Sequence, residues 1–184
     1  MREYLLAIDP GIEGAWALFQ EGRVASCDDC FRATPLDTGL YRPKGGKTRT
    51  WQERVSESLL VLEQRIRKIW QGKDLVRIAI EWPAVFGSAA ANAAASDESI
   101  TKLTYCVGYV GRVAAELSVP LVLVPVNEWK GQLPKRVVET RIRTILGEEN
   151  CRDFHSHVWD AVGIGLHVKG ISICRSFKSK ARRS

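Results

Sequence analysis

Tyr4-Leu5-Leu6-Ala7-Ile8-Asp9-Pro10-Gly11 is an apolar run that stops abruptly on a carboxylate. Proline has no N–H to give a strand ladder and glycine tolerates turn conformations, so Pro10-Gly11 ends the strand and holds Asp9 at its edge. A second apolar run, Arg77-Ile78-Ala79-Ile80, closes on Glu81 and is followed by Trp82-Pro83, again where a buried strand meets a loop. The pattern His157-Val158-Trp159-Asp160-Ala161-Val162 predicts a helix, and His157 and Asp160, at i and i+3, share one of its faces. Three elements from distant parts of the chain thus each carry an acidic or metal-ligating group to the edge of an apolar segment. Such a set reads as a metal site.

Outward from Asp9, strand and helix patterns alternate. Gly14 to Gln20 alternates in strand fashion, Glu21-Gly22 makes a turn, and Arg23 to Asp28 is expected to return as a third strand, which completes a meander. Residues 32 to 50 read as a polar loop. Thr50 then caps a helix whose stripe, Val55, Leu59, Leu62, Ile66 and Ile69, faces one side. Leu75 to Ile80 is the strand that carries Glu81. A small-residue loop from Val85 to Ala95 leads to a helix striped by Ile100, Leu103, Val107, Val110, Ala114 and Leu117, which Pro120 breaks. Leu121 to Val124 is a fifth strand, Lys135 to Leu146 a third amphipathic helix, and His157 to Val168 the closing helix, where Gly163 and Gly165 permit close approach to the sheet. The expectation is an α/β fold: a five-stranded mixed sheet, three antiparallel strands and then parallel ones, flanked by helices.

A chain of 184 residues with 45% hydrophobic composition can bury a sizeable core and is globular rather than disordered. No apolar stretch approaches the roughly 20 residues that span a bilayer, and the N-terminus lacks a signal-like apolar core, so a soluble, cytoplasmic protein is expected. The net charge of +6 and pI near 9.2 favour a polyanionic partner. Lys44, Lys47 and Arg49 lie in the polar loop, and Lys178, Lys180, Arg182 and Arg183 end the chain in a tail too polar to pack. Cys27-Asp28-Asp29-Cys30 lacks the second pair that a structural zinc site requires, and reduced thiols are the expectation. Gly45-Gly46-Lys47-Thr48 is not a phosphate-binding loop, because its first glycine falls at Tyr41 and no apolar strand precedes it.

In order and spacing, Ile8-Asp9-Pro10-Gly11, Ala79-Ile80-Glu81 and His157-x-x-Asp160-Ala161 resemble the RuvC family of Holliday junction resolvases, within the RNase H-like superfamily. The resemblance spans about residues 1 to 168, which sets the expected division into a nuclease domain and a basic tail, 169 to 184. A strand ending in Asp-x-Gly also opens actin-like ATPases, but those need a second such loop in a duplicated half, for which this chain is too short. The resemblance implies a homodimeric, metal-dependent crossover junction endodeoxyribonuclease, bacterial or phage-encoded, that cuts four-way DNA junctions by paired symmetric nicks. Two ions per site, Mg2+ or Mn2+, would be held by Asp9 between both, Glu81 at one, and Asp160 with His157 at the other. An imidazole in place of a carboxylate removes a negative charge and suits manganese better than magnesium. A helix-end histidine without a ligand role is the plainer reading of His157.

Lys130 and Lys135 align with lysines that the family places near its active site, and solvated charge is the competing reading of each. Trp82 and Phe86 flank Glu81 and resemble an aromatic wedge that stacks on an unpaired base. Burial in the core is the expectation for Trp82 and exposure for Phe86. The DNA-binding set expected is therefore Lys130, Lys135, Phe86, Lys44, Lys47 and Arg49. Two other functions fit parts of the pattern. One is an RNase H-type nuclease on RNA-DNA hybrids, which would place a glutamate on the first helix, where Glu53 and Glu57 are available. The other is a branched-DNA-binding module without catalysis.

Overall fold

The structure, a computed structural model, describes residues 3–21, 33–44, 49–71, 75–83 and 99–174. Its centre is a five-stranded sheet in the order β3-β2-β1-β4-β5. β1 (Tyr4–Asp9) lies antiparallel to β2 (Gly14–Gln20), which pairs antiparallel with β3 (Asp37–Tyr41). On its other side β1 runs parallel to β4 (Leu75–Trp82), and β4 runs parallel to β5 (Leu121–Pro125). The mixed, three-antiparallel-then-parallel sheet is the expected one.

Side chains of a strand alternate between faces, so the unbroken apolar run of β1 is what a strand covered on both sides requires. Leu6 and Ile8 point into a core shared with α1 (Trp51–Gln71) and α2 (Ser99–Glu116). Leu5 and Ala7 point into a second core, shared with α4 (Lys135–Leu146) and α5 (Ser156–Val168). A single turn, α3 (Val126–Trp129), follows β5 directly, in a segment that carried no helical signal. Thr50 begins α1 with a reciprocal cap: its hydroxyl accepts from Glu53 N–H at 3.3 Å, and Glu53 Oε2 accepts from Thr50 N–H at 2.8 Å. Helices α1, α2 and α4 fall where the amphipathic patterns place them, and α5 covers the expected closing helix from His157 to Val168.

The sheet face beneath α5 is paved with Ala7, Ala15, Ala17 and Ala79, and α5 answers with glycine. A Cβ on Gly165 would lie 2.1 Å from Phe19 Cε2, and one on Gly163 would lie 2.4 Å from Trp129 Cζ3. Small residues on both surfaces bring α5 close to β1 and β2, which carries the N-terminal turn of α5 to the end of β1.

The third strand departs from expectation. Residues 23–28, expected to form it, lie outside the described residues, whereas Asp37–Tyr41, assigned to a polar loop, pairs with β2 from Leu18↔Asp37 to Gly14↔Tyr41. An edge strand needs little apolar character, and of these five residues only Tyr41 is buried. Beyond α5 the chain still packs: Ile173 is fully buried, and Lys169 is 2% exposed with its ammonium donating to the Gln20 carbonyl at 2.6 Å. Residues 175–184, with Lys178, Lys180, Arg182 and Arg183, lie outside the described residues, as do Cys27 and Cys30. Among the described residues no helix is long and apolar enough to cross a membrane.

Candidate functional site

The site forms at the C-terminal ends of β1 and β4, where the two central parallel strands deliver Asp9 and Glu81 side by side. Asp9 is the last residue of β1 and is 8% exposed. Its backbone is fixed as well as its side chain, because the buried Tyr41 hydroxyl donates to the Asp9 carbonyl at 2.8 Å. Gly14 makes that possible: a Cβ there would stand 2.3 Å from the Tyr41 hydroxyl oxygen and 2.5 Å from the Asp9 carbonyl oxygen. Tyr41, at the end of the unexpected strand, thus belongs to the support of the site. Its phenol is pushed well above its ordinary range by burial and by the Asp9 charge.

His157 and Asp160 reach the same place from the first turn of α5. His157 Nδ1 lies 2.9 Å from Asp9 Oδ2. Lys130, just after α3, sits between the other two acids, 3.7 Å from Glu81 Oε2 and 3.8 Å from Asp160 Oδ1. Lys135, at the start of α4, donates to Asp160 Oδ2 at 3.0 Å and to Ser156 Oγ at 3.1 Å. All four expected site residues and both expected lysines therefore meet in one cluster. A pocket of about 30 Å³ beside His157 is lined in part by Arg42 and His155, two cationic or potentially cationic groups that no motif singled out.

The electrostatics are those of crowded, poorly hydrated acids. Burial pushes the Asp9 carboxyl above its ordinary value; the His157 contact opposes the shift and the Asp160 charge adds to it. Burial likewise raises Glu81, against the pull of Lys130 and with the push of Asp9. The hydrogen bond to Asp9 raises the His157 imidazole above its ordinary value. Desolvation and mutual repulsion of this kind are what a cation among the carboxylates would relieve. The donors, three carboxylates and one imidazole, suit a hard or borderline divalent ion. As the side chains stand, no three ligating groups among the described residues are gathered closely enough to enclose one; ammonium groups and the imidazole neutralise the acids instead.

Trp129 was missed as a site residue. Completely buried, it donates its indole N–H to Glu81 Oε2 at 2.8 Å. Trp82, expected in the core, is 39% exposed beside Glu81: it shares a sheet face with the buried Ile78 and Ile80 but is the last residue of β4, at the end of that core. Phe86 and Lys47 lie outside the described residues. Lys44 is exposed beyond β3, and the Arg49 guanidinium pairs with Glu57 on α1 at 3.0 Å.

No protein-family model matches the chain, and no curated protein matches it. Among solved structures it is similar to Thermus thermophilus RuvC in complex with Holliday junction substrate, at 21% identity over 91% of this chain and 94% of that one, with a TM-score of 0.57. A second structure of Thermus thermophilus RuvC gives 22% identity, 90% and 93% coverage and a TM-score of 0.56. The fowlpox virus Holliday junction resolvase matches at 9% identity, over 91% and 98% of the two chains, with a TM-score of 0.49. Sheet order, helix placement and near-complete mutual coverage agree: the chain has the RNase H-like fold of RuvC.

Proposed function

We propose that the chain is a Holliday junction resolvase, a structure-specific endodeoxyribonuclease that cuts four-way DNA junctions by paired symmetric nicks. The observation that carries this reading is the meeting of Asp9, Glu81, His157 and Asp160, from β1, β4 and α5, in one desolvated acidic cluster flanked by Lys130 and Lys135. Asp9, Glu81, Asp160 and His157 would hold two divalent ions, Mg2+ or Mn2+, which when bound activate water and offset charge on the attacking and leaving oxygens.

The other residues bind and orient. Lys130 and Lys135 already lie within reach of the acids, so a phosphate brought to the cluster meets their ammonium groups as it arrives. Lys44, Lys47 and Arg49 would add contacts to the DNA backbone, and the exposed Trp82 offers a ring face, as Phe86 would, to an unpaired base at the junction. Cutting two symmetry-related strands calls for two such sites, hence a two-fold homodimer.

A nuclease for RNA-DNA hybrids would draw a carboxylate from the first helix. Both candidates are engaged elsewhere, Glu53 in the Thr50 cap and Glu57 with Arg49. Labelled four-way junction, linear duplex and RNA-DNA hybrid, each incubated with Mg2+ or Mn2+, test the reading. Paired nicks in the junction alone are expected. Preferential cutting of the hybrid would replace the reading with the RNase H one, and tight junction binding without cleavage would reduce the chain to a binding module.

A further inference from the structure

Resting on that reading, we propose that Trp129 is a positioning residue that orients the Glu81 carboxylate for the metal through its indole N–H. The indole is fully buried, and a buried N–H needs an acceptor. Its acceptor is Glu81 Oε2, at 2.8 Å. Lys130 bears on the same oxygen from 3.7 Å, with its ammonium 4.6 Å from the centroid of the Trp129 ring. The ring itself has no room to turn, because the Gly163 backbone of α5 lies against it so closely that a Cβ would come within 2.4 Å of Cζ3. One rigid side chain therefore touches the strand that carries Glu81, stands under Lys130, and rests on the helix that carries His157 and Asp160.

Glutamate has three side-chain torsions, and a free carboxylate at the end of β4 would spread over several orientations. A donor fixed by its own packing removes that freedom before any ion arrives. Groups that hydrogen-bond a metal-ligating side chain from behind typically carry about 10–100-fold in metal affinity. Phenylalanine at this position keeps an aromatic ring and deletes the N–H together with part of the bicyclic indole.

The test uses the full chain, stripped of metal. Mn2+ affinity is measured by calorimetry for wild type, Trp129→Phe and Glu81→Gln, and the indole N–H resonances are recorded with ¹⁵N labelling, Trp129 being assigned from its contacts with Gly163. Trp129→Phe is expected to weaken Mn2+ binding about 10–100-fold while metal-free junction affinity stays at the wild-type value. Glu81→Gln, which replaces a charged acceptor with a neutral one, is expected to move the Trp129 resonance and no other indole signal. An unmoved resonance in Glu81→Gln, or wild-type Mn2+ affinity in Trp129→Phe when Glu81→Gln has lost it, overturns the role of Trp129 and leaves the nuclease reading intact. Wild-type Mn2+ affinity in Glu81→Gln overturns the nuclease site itself. If Trp129→Phe does not fold, the resonance in Glu81→Gln decides alone.

Discussion

Removing the Lys130 or Lys135 ammonium should flatten the salt dependence of junction binding by a calculable amount. Each lysine stands within 4 Å of the clustered acids, Lys130 at 3.7 and 3.8 Å and Lys135 at 3.0 Å, so each lies where a scissile phosphate would have to come. One phosphate contact on duplex DNA contributes about −0.9 to the slope of log K against log[salt], through release of condensed counterions. Losing one contact therefore changes the ratio of wild-type to variant affinity by about 3.5-fold between 50 and 200 mM salt, a fourfold span raised to that power. If the two contacts act independently, Lys130→Ala/Lys135→Ala changes it by about 12-fold. Fluorescence anisotropy of a labelled four-way junction in EDTA, titrated at four or more salt concentrations, reads these slopes without cleavage. Weaker binding with slopes parallel to wild type would mean that the lysines stabilise the acidic cluster rather than touch phosphate.

Asp9→Asn, Glu81→Gln and Asp160→Asn are each expected to abolish junction cleavage in gel assays while leaving metal-free junction affinity close to wild type, since on the proposed function each would remove a metal ligand and no DNA contact; normal nicking by any of them removes that residue from the site. His157→Asp is expected to stay active and move its optimum toward Mg2+, because it restores an oxygen ligand and a negative charge, whereas superimposable Mg2+ and Mn2+ titrations of the variant and wild type would leave His157 as a helix-end residue without a ligand role. The pH dependence of the metal-free protein has a definite sign: the Asp9 contact raises His157 above its ordinary 6.5, so its stabilisation is complete below that pH and is lost as pH rises through the folded-state value. Melting temperature in EDTA should thus fall above about pH 6.5 in wild type and fall less in His157→Ala, and equal profiles would contradict the contact. Gly165→Ala forces a methyl against Phe19 and should cost about 1–3 kcal/mol, roughly 2–12 °C in melting temperature for a chain of this size, so an unchanged melting curve would show that α5 does not lie where it is placed.

What the sequence made legible follows from how each element is buried. β1 and β4 are covered on both faces, so they read as apolar runs, interrupted in β4 by Arg77, and Asp9 and Glu81 stand out where those runs stop. Helices α1, α2 and α4 are covered on one face, so they read as stripes, whereas α5 is buried from Ala161 to Leu166 all round and reads as an apolar, glycine-containing run. β3 is an edge strand with a single buried side chain, and Asp37-Thr38-Gly39-Leu40-Tyr41 has neither signature. Trp82 misled for the opposite reason, since its residue type argues for the core while its place as the last residue of β4 leaves it exposed.

The deeper gap lies between sharing a face and reaching a partner. Periodicity says that His157 and Asp160 project together from α5, but not that this face meets Asp9, 148 residues earlier in the chain. That meeting depends on how closely α5 lies on the sheet, which the alanines of β1, β2 and β4 and the glycines of α5 set jointly. The same constraint makes Trp129 invisible to any local pattern: its N–H finds Glu81 across 48 residues only because Gly163 leaves room for the ring. A methyl at Gly163 should therefore act at a distance, displacing Trp129 and, through it, Glu81. If Gly163→Ala folds, it should lose Mn2+ affinity in the same direction as Trp129→Phe, and adding Trp129→Phe to it should weaken binding by much less than in wild type. Strictly additive losses would mean that the helix and the indole act on the site by separate routes.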